Sequence, residues 1–542
     1  MPSALDALID DFLADEFEES PVLVSSLGAE GLDHLHGRLG EFSADAFARR
    51  DQKAATWRNR LASMGDAGLT LDEQIDRDLA VSTLDGRIAM ADWAVWRRDP
   101  ATYLSPALNG IFVLFLHRLL PEPALADAAS SRLYEVPSVL DAARANLDPE
   151  LAAPVFVQRG IGQCRAAVTY ARDLVAREVQ DDALRSKVAE AGEVAARAFE
   201  SFATFLEELA PQAAGSFAIG EERYSRLLVE RELLGYGAAE LREKGRTAYA
   251  ELDEEMAALA SKIEPGARNW RAVVESLNDD HPESPEAMRE EYERWTESAR
   301  EFLHQTDLVT MPYGERCHVV PSPHFQRPIL AVASYGAPPA FRDGRTGHFF
   351  VPFPPEGTPP DEVQKRLQTN SRASIPTISV HEAYPGHHWH LVTMQLGERK
   401  LRKVLRTAYF TEGWALYAER LMREHGFFTD PRHELAHLDA RIFRAARIVV
   451  DTSLHIGDMD VEEAVEFMRT KASLSEPTAR AEVGRYCSWP TQAASYLTGS
   501  LEIERIRARY FAEGGTDLKA FNDKIAGSGG LPIALAERAV MA

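Results

Sequence analysis

The sequence predicts a mostly α-helical protein with one small β-sheet, and three observations carry this. Between residues 30 and 260, segments rich in Ala, Leu, Glu and Arg place apolar residues three and four apart, the spacing of one helix face. From Pro312 to Pro360 prolines and glycines become dense, and short apolar runs replace the periodic ones. After His381 the helical spacing returns and holds nearly to the end. The 542 residues suffice for a large core and more than one domain. A chain that is 45% hydrophobic and 27% charged is an ordinary globular one, neither disordered nor fibrous.

The elements follow in order. The longest apolar run, Gly110 to Leu116, stops at His117-Arg118. It is far short of a membrane span and reads as a buried helix. Leu241, Ala248, Leu252 and Met256 share one side of a long helix that ends near Ile263, before Pro265-Gly266; core packing accounts for that stripe. Ser284-Pro285-Glu286 starts another helix, with a serine cap and a proline at the first helical position. Cys317-His318-Val319-Val320 and His348-Phe349-Phe350-Val351 read as strands of a sheet just before the histidine-rich motif described below. Helices are expected at about 381–396, 402–425, 433–456, 460–471, 477–487 and 491–512. Asp460 with Glu463 has the pattern of a capping box, and Pro490 separates the last long helix from the one before it.

Charge and cysteine usage narrow the function classes. With 84 acidic and 60 basic residues the net charge is −24. Such a chain repels nucleic acid and anionic membrane surfaces, and neither is expected as a partner. Cys164, Cys317 and Cys487 are odd in number and far apart, so they form no disulfide framework and no paired metal motif. Free thiols and an N-terminus, Met1-Pro2-Ser3-Ala4-Leu5-Asp6, without basic and apolar signal regions lead to the expectation of a cytoplasmic protein.

Chemistry concentrates in His381-Glu382-Ala383-Tyr384-Pro385-Gly386-His387-His388, followed by Glu412-Gly413-Trp414. Two imidazoles, a carboxylate ligand and a second carboxylate for proton transfer are the inventory of a catalytic zinc site. The spacing is unusual. In H-E-x-x-H the histidines are four apart and share a helix face. Here the fourth position is Pro385, His387 lies about 120° from His381 on an ideal helix, and His388 lies about 20° away but nearly two turns along the axis. Pro385 and Gly386 relax that geometry, and a two-residue bulge would return His387 to His381. His388 stays the alternative ligand.

The segment resembles the signature of the bacterial domain-of-unknown-function 885 family, roughly H-E-A-Y-P-G-H-H-x-Q, with His390 where glutamine is usual. Further likeness lies in Thr411 to Glu419, Val450-Asp451-Thr452-Ser453-Leu454-His455, Glu482 to Tyr486, Pro490 to Ala493 with Tyr496, and Gly527 to Pro532. It is strong from about residue 370 onward and diffuse before residue 300. The family is similar to zinc metallopeptidases with a glutamate third ligand. The resemblance therefore implies a helical zinc-peptidase-like architecture, with the small sheet beside the active-site helix and a deep cleft. Residues 1–300 would form a helical half covering the cleft, and residues 301–542 a catalytic, metal-binding half. An edge strand of the sheet would hold an extended substrate backbone.

Roles can then be assigned. His381, His387 and Glu412 would bind one Zn2+, the 25-residue separation from His387 to Glu412 allowing a turn and a return helix. Glu382 points off the ligand face and is the candidate general base. Glu419, seven residues after Glu412, shares its face and either orients a ligand histidine or pairs on the surface. His455 or Tyr496 would donate to an oxyanion, and Arg485 would hold a substrate carboxylate. His388 and His390 read as structural, Trp414 and Tyr417 as core, and Arg441, Arg444 and Arg447 as a solvated or salt-bridged face. The expected activity is zinc-dependent hydrolysis of short peptides. A non-peptide amide hydrolase, another metal enzyme or a non-catalytic binding protein are the alternatives.

Overall fold

The structure, a computed structural model, describes residues 3–324, 326–327, 332–472 and 474–542; the first two residues of the N-terminal reading lie outside them. It is mostly helical with one three-stranded sheet. Two compact units divide the chain: residues 1–219 with 339–343, and residues 220–338 with 344–542. The boundary falls at Ile219/Gly220 rather than near residue 300. Residues 220–300 pack with the motif-bearing segment because the helix Ala238–Ile263 lies along Pro431–Ile456, so close that a Cβ on Gly245 would meet Ile448 Cγ2 at 2.7 Å.

The first unit is all helix apart from its connections. Ser3 and Asp6 form a capping box that starts Ala4–Glu19. The apolar run of the sequence reading lies in Ala101–His117, where Ile111, Val113, Leu114 and Phe115 are buried. Asp181 caps Asp182–Leu209 by accepting from the Ala183 and Leu184 N–H groups. That helix buries Val188, Ala195, Phe199, Phe202 and Leu206 against Glu122–Asn146 and Pro154–Thr169.

The second unit carries the motif. Ala238–Ile263 ends where expected, with Leu241, Ala248, Leu252 and Met256 buried. Ser284 caps Pro285–Thr306, accepting from Ala287 N–H at 3.1 Å. The sheet has strands β1 (Arg316–Pro321), β2 (Ser334–Gly336) and β3 (Thr346–Val351) in the order β1-β3-β2. β1 runs parallel to β3, with His318 opposite His348, and β2 is antiparallel to β3. Pro285–Thr306 packs against both the sheet and the helix Ile375–Glu382, with Tyr292 edge-on to Phe349 at 5.2 Å. The sheet is thereby held beside the motif. The capping box of Asp460 and Glu463 is formed, and Pro490 lies between Glu476–Ser488 and Gln492–Ala512. All three cysteines are free; Cys164 and Cys487 are buried and Cys317 is half-buried. Among the described residues no helix is long and apolar enough to cross a membrane.

Candidate metal centre

The motif occupies two helices. Ile375–Glu382 begins with Pro376 in its first turn, where a missing N–H costs nothing, and ends at Ala383, whose backbone leaves the helical region at φ −117°, ψ −82°. His387–Leu396 follows, with a cis Tyr384–Pro385 peptide between the two. Gly386 N–H donates to Val380 O at 3.1 Å, and the Trp414 indole N–H donates to Pro385 O at 2.8 Å. Glycine is required at 386, since a Cβ there would lie 2.0 Å from His381 O. The expected bulge within one helix from 381 to 396 is thus a complete break, and the first helix starts six residues earlier. His381 sits in the last turn of one helix and His387 opens the next. Their rings meet nearly perpendicular, with centroids 4.8 Å apart.

Glu412 comes from Ala408–Glu424, where Thr407 rather than residue 402 supplies the cap, accepting from Tyr409 N–H. Its position is set by contact with Gln492–Ala512. A Cβ on Gly413 would stand 2.6 Å from Gly499 Cα, and one on Gly499 would stand 1.8 Å from Tyr409 O. The two backbones therefore nearly touch one residue from Glu412. Glu412 Oε2 lies 3.6 Å from His381 Nε2 and 3.3 Å from His387 Nε2. Ligating atoms of His381, His387 and Glu412 all lie within 4.8 Å of one another, and this is the metal-capable cluster found among the described residues.

A carboxylate stands behind the cluster. Glu419, fully buried, accepts from His381 Nδ1 at 2.7 Å and faces His437 Nδ1 at 3.3 Å through its other oxygen. With its proton on Nδ1, His381 presents the Nε2 lone pair to the cluster. Burial pulls the His381 pKa down, but Glu412 and Glu419 outweigh it and lift it to about 9. Burial pushes the Glu412 and Glu419 carboxyls up; the imidazoles reverse this and hold both well below the usual carboxylate range. Glu382, buried beside His381, shows the opposite balance. Desolvation raises its pKa, Glu412 adds to the rise, and His381, His387 and Arg444 only partly offset it.

The structure separates the two adjacent imidazoles. His388 is fully buried, with Nε2 2.8 Å from Glu315 Oε2 and Nδ1 2.8 Å from the Tyr335 hydroxyl. Tyr384 O–H and Arg300 Nε–H also donate to Glu315, which drops to about 2 because these bonds overcome its burial. His390 is buried against Phe410 and Trp414, and burial lowers it to about 3. Trp414 and Tyr417 are core residues, both fully buried.

The remaining predicted site residues divide. Burial, and then the charge of Glu412, raises the Tyr496 pKa, and its hydroxyl accepts from Gln492 Nε2 at 3.4 Å. Arg485 donates to Glu482 at 3.0 Å and to Gln492 Oε1 at 2.5 Å, so its guanidinium already has a carboxylate. His455 Nε2 lies 2.9 Å from Tyr486 O, where an N–H donates to the carbonyl. Beside it Asp451 accepts from Tyr224 O–H at 2.5 Å and Thr491 N–H at 3.1 Å. This family-like segment thus ties helices together. Arg441 pairs with Glu504 and Arg447 with Glu482. Sequence reasoning missed Glu315 and His437, each an ordinary polar residue in its own segment whose partner is distant in sequence.

A family model described as a bacterial protein of unknown function, DUF885, matches residues 21–540. No curated protein matches the chain. Two solved structures are similar over its full length. One is a candidate lipoprotein of unknown function from Shewanella oneidensis, with a TM-score of 0.81 and 21% identity, all of it covered. The other is a candidate lipoprotein from Colwellia psychrerythraea, with a TM-score of 0.78 and 19% identity, 99% of it covered.

Proposed function

We propose that this chain, which belongs to the DUF885 family of bacterial proteins, is a zinc-dependent hydrolase acting on short peptides. The observation that carries the reading is the approach of three ligating atoms within 4.8 Å, with a buried glutamate next to one ligand and a carboxylate bonded behind it. His381 and His387 through Nε2 and Glu412 through a carboxylate oxygen would hold the ion. Bound zinc supplies Lewis acidity and brings the pKa of a water toward about 7.

The chain's own groups account for the rest. Glu382 takes the proton of the attacking water and later delivers it to the leaving nitrogen, so the C–N bond breaks without expelling an amide anion. Its raised pKa suits a group that must both accept and return a proton. Tyr496 would donate to the oxyanion that forms as the water adds to the carbonyl. β1 lies at an edge of the sheet and is the candidate site for an extended backbone. Burial, then the charges of Glu315 and Glu382, pushes the Cys317 thiol of β1 up. We keep the cytoplasm as the proposed compartment; cell fractionation decides it, since the two similar structures are described as candidate lipoproteins.

Metal content of purified variants tests the ligand set. His381→Ala, His387→Ala and Glu412→Ala are expected to lose zinc, whereas His388→Ala keeps it. The reverse result for the two adjacent histidines would overturn the assignment. A mixed peptide library digested by zinc-loaded and by chelated protein tests the activity. Absence of metal-dependent cleavage would favour a non-peptide amide substrate or a binding protein.

A further inference from the structure

Arg441, Arg444, Arg447 and Arg485 lie around the helices that flank the cluster, and three of them are matched. Arg441 pairs with Glu504 at 3.2 Å, Arg447 with Glu482 at 2.7 Å and Arg485 with Glu482 at 3.0 Å. Arg444 differs. Its Nη1 donates to Ala440 O at 2.9 Å, its Nε is buried without a partner, and no carboxylate among the described residues forms an ion pair with it. Arg444 is itself half-buried, in a chain with 84 acidic residues.

Two contacts fix its position. Long helical side chains reach back toward the N-terminus, and the bond to Ala440 shows that Arg444 does so. The head thus lies about one turn from His437, whose ring faces Glu419 behind His381. On its other side it lies 5.8 Å from the centre of the Tyr496 ring. Its charge also lowers the pKa of both Glu382 and Glu419.

We propose that Arg444 is a specificity residue that binds a substrate carboxylate, so that the site prefers peptides whose free C-terminus lies near the scissile bond. This rests on the hydrolase reading for the word substrate, and the guanidinium fork supplies the matching geometry.

The test uses zinc-loaded full-length Glu382→Gln protein, which should bind peptide without cleaving it. Alanine peptides of two to six residues are titrated by calorimetry, each as free acid and as C-terminal amide. At the preferred length the acid should bind at least about 10-fold more tightly than the amide. Arg444→Gln in the same background should abolish that difference and leave amide binding unchanged. Arg444→Lys, which keeps the charge and loses the fork, should keep part of it. Arg406→Gln should retain it in full, although Arg406 is a cation that interacts electrostatically with Glu412. No acid preference at any length, or a preference that survives Arg444→Gln or disappears in Arg406→Gln, overturns the proposal. Because binding is read without turnover, failure of hydrolysis in the wild-type chain is a separate result. A wild-type enzyme that cleaves amides as fast as acids would sink this inference and leave the hydrolase standing.

Discussion

His387 and His388 are neighbours in sequence and point about 100° apart at the start of one helix. One faces Glu412 and the other is locked between Glu315 and Tyr335. No spacing rule separates them, because the choice depends on where the broken helix resumes. Gly386 decides that by allowing the backbone of the break to touch His381 O. Glu419 shows the converse. Its seven-residue spacing from Glu412 placed it on the ligand face, and the structure finds it bonded to His381 at 2.7 Å. Glu419→Gln is expected to weaken zinc binding about 10- to 100-fold without abolishing it, since the amide oxygen still accepts from Nδ1–H but the charge is gone. Competition against a chelating dye measures this. Unchanged affinity would mean that the buried carboxylate serves packing alone.

Helices in this chain were legible where local chemistry fixes their ends. Ser284-Pro285, the Asp460–Glu463 box and Pro490 all mark the boundaries they predicted. The motif helix departs from its sequence pattern because it starts at Ile375, ahead of the histidines, and because Pro385-Gly386 breaks rather than bulges it. His455 was placed in the site by its motif, yet it belongs to a buried knot that joins Pro431–Ile456 to Glu476–Ser488. That knot yields a stability prediction. Burial raises the Asp451 pKa from 3.8 to about 7, its hydrogen bonds to Tyr224 and Thr491 only partly offsetting it. The folded state therefore holds this proton over a pH range in which the unfolded chain has lost it. Its contribution is full below about pH 4, falls as pH rises and is gone above about pH 7, by on the order of 4 kcal/mol at most. Asp451→Asn keeps an acceptor for Tyr224 and Thr491 without the titration. Thermal melts should show the variant gaining on the wild type as the pH rises from about 4 to about 7. Parallel profiles would show that Asp451 does not titrate in that range.

At the scale of the whole molecule, composition gave a mostly helical chain and the change of texture between Pro312 and Pro360 gave the sheet, both as found. The division into units was not legible. Residues 220–300 look like the helices before them, and only their packing along Pro431–Ile456 assigns them to the motif-bearing unit. The second unit draws its metal-capable cluster, the buried carboxylate behind it and the adjacent sheet from segments between residues 315 and 437. The central claim is that this assembly hydrolyses peptides with Glu382 as its base. The most direct measurement is the initial rate of peptide cleavage by wild-type and Glu382→Gln protein at matched zinc occupancy, on a substrate taken from the library digest. The account predicts equal metal content and a rate lower by about 10²- to 10⁴-fold in the variant. Equal rates at equal zinc would contradict it.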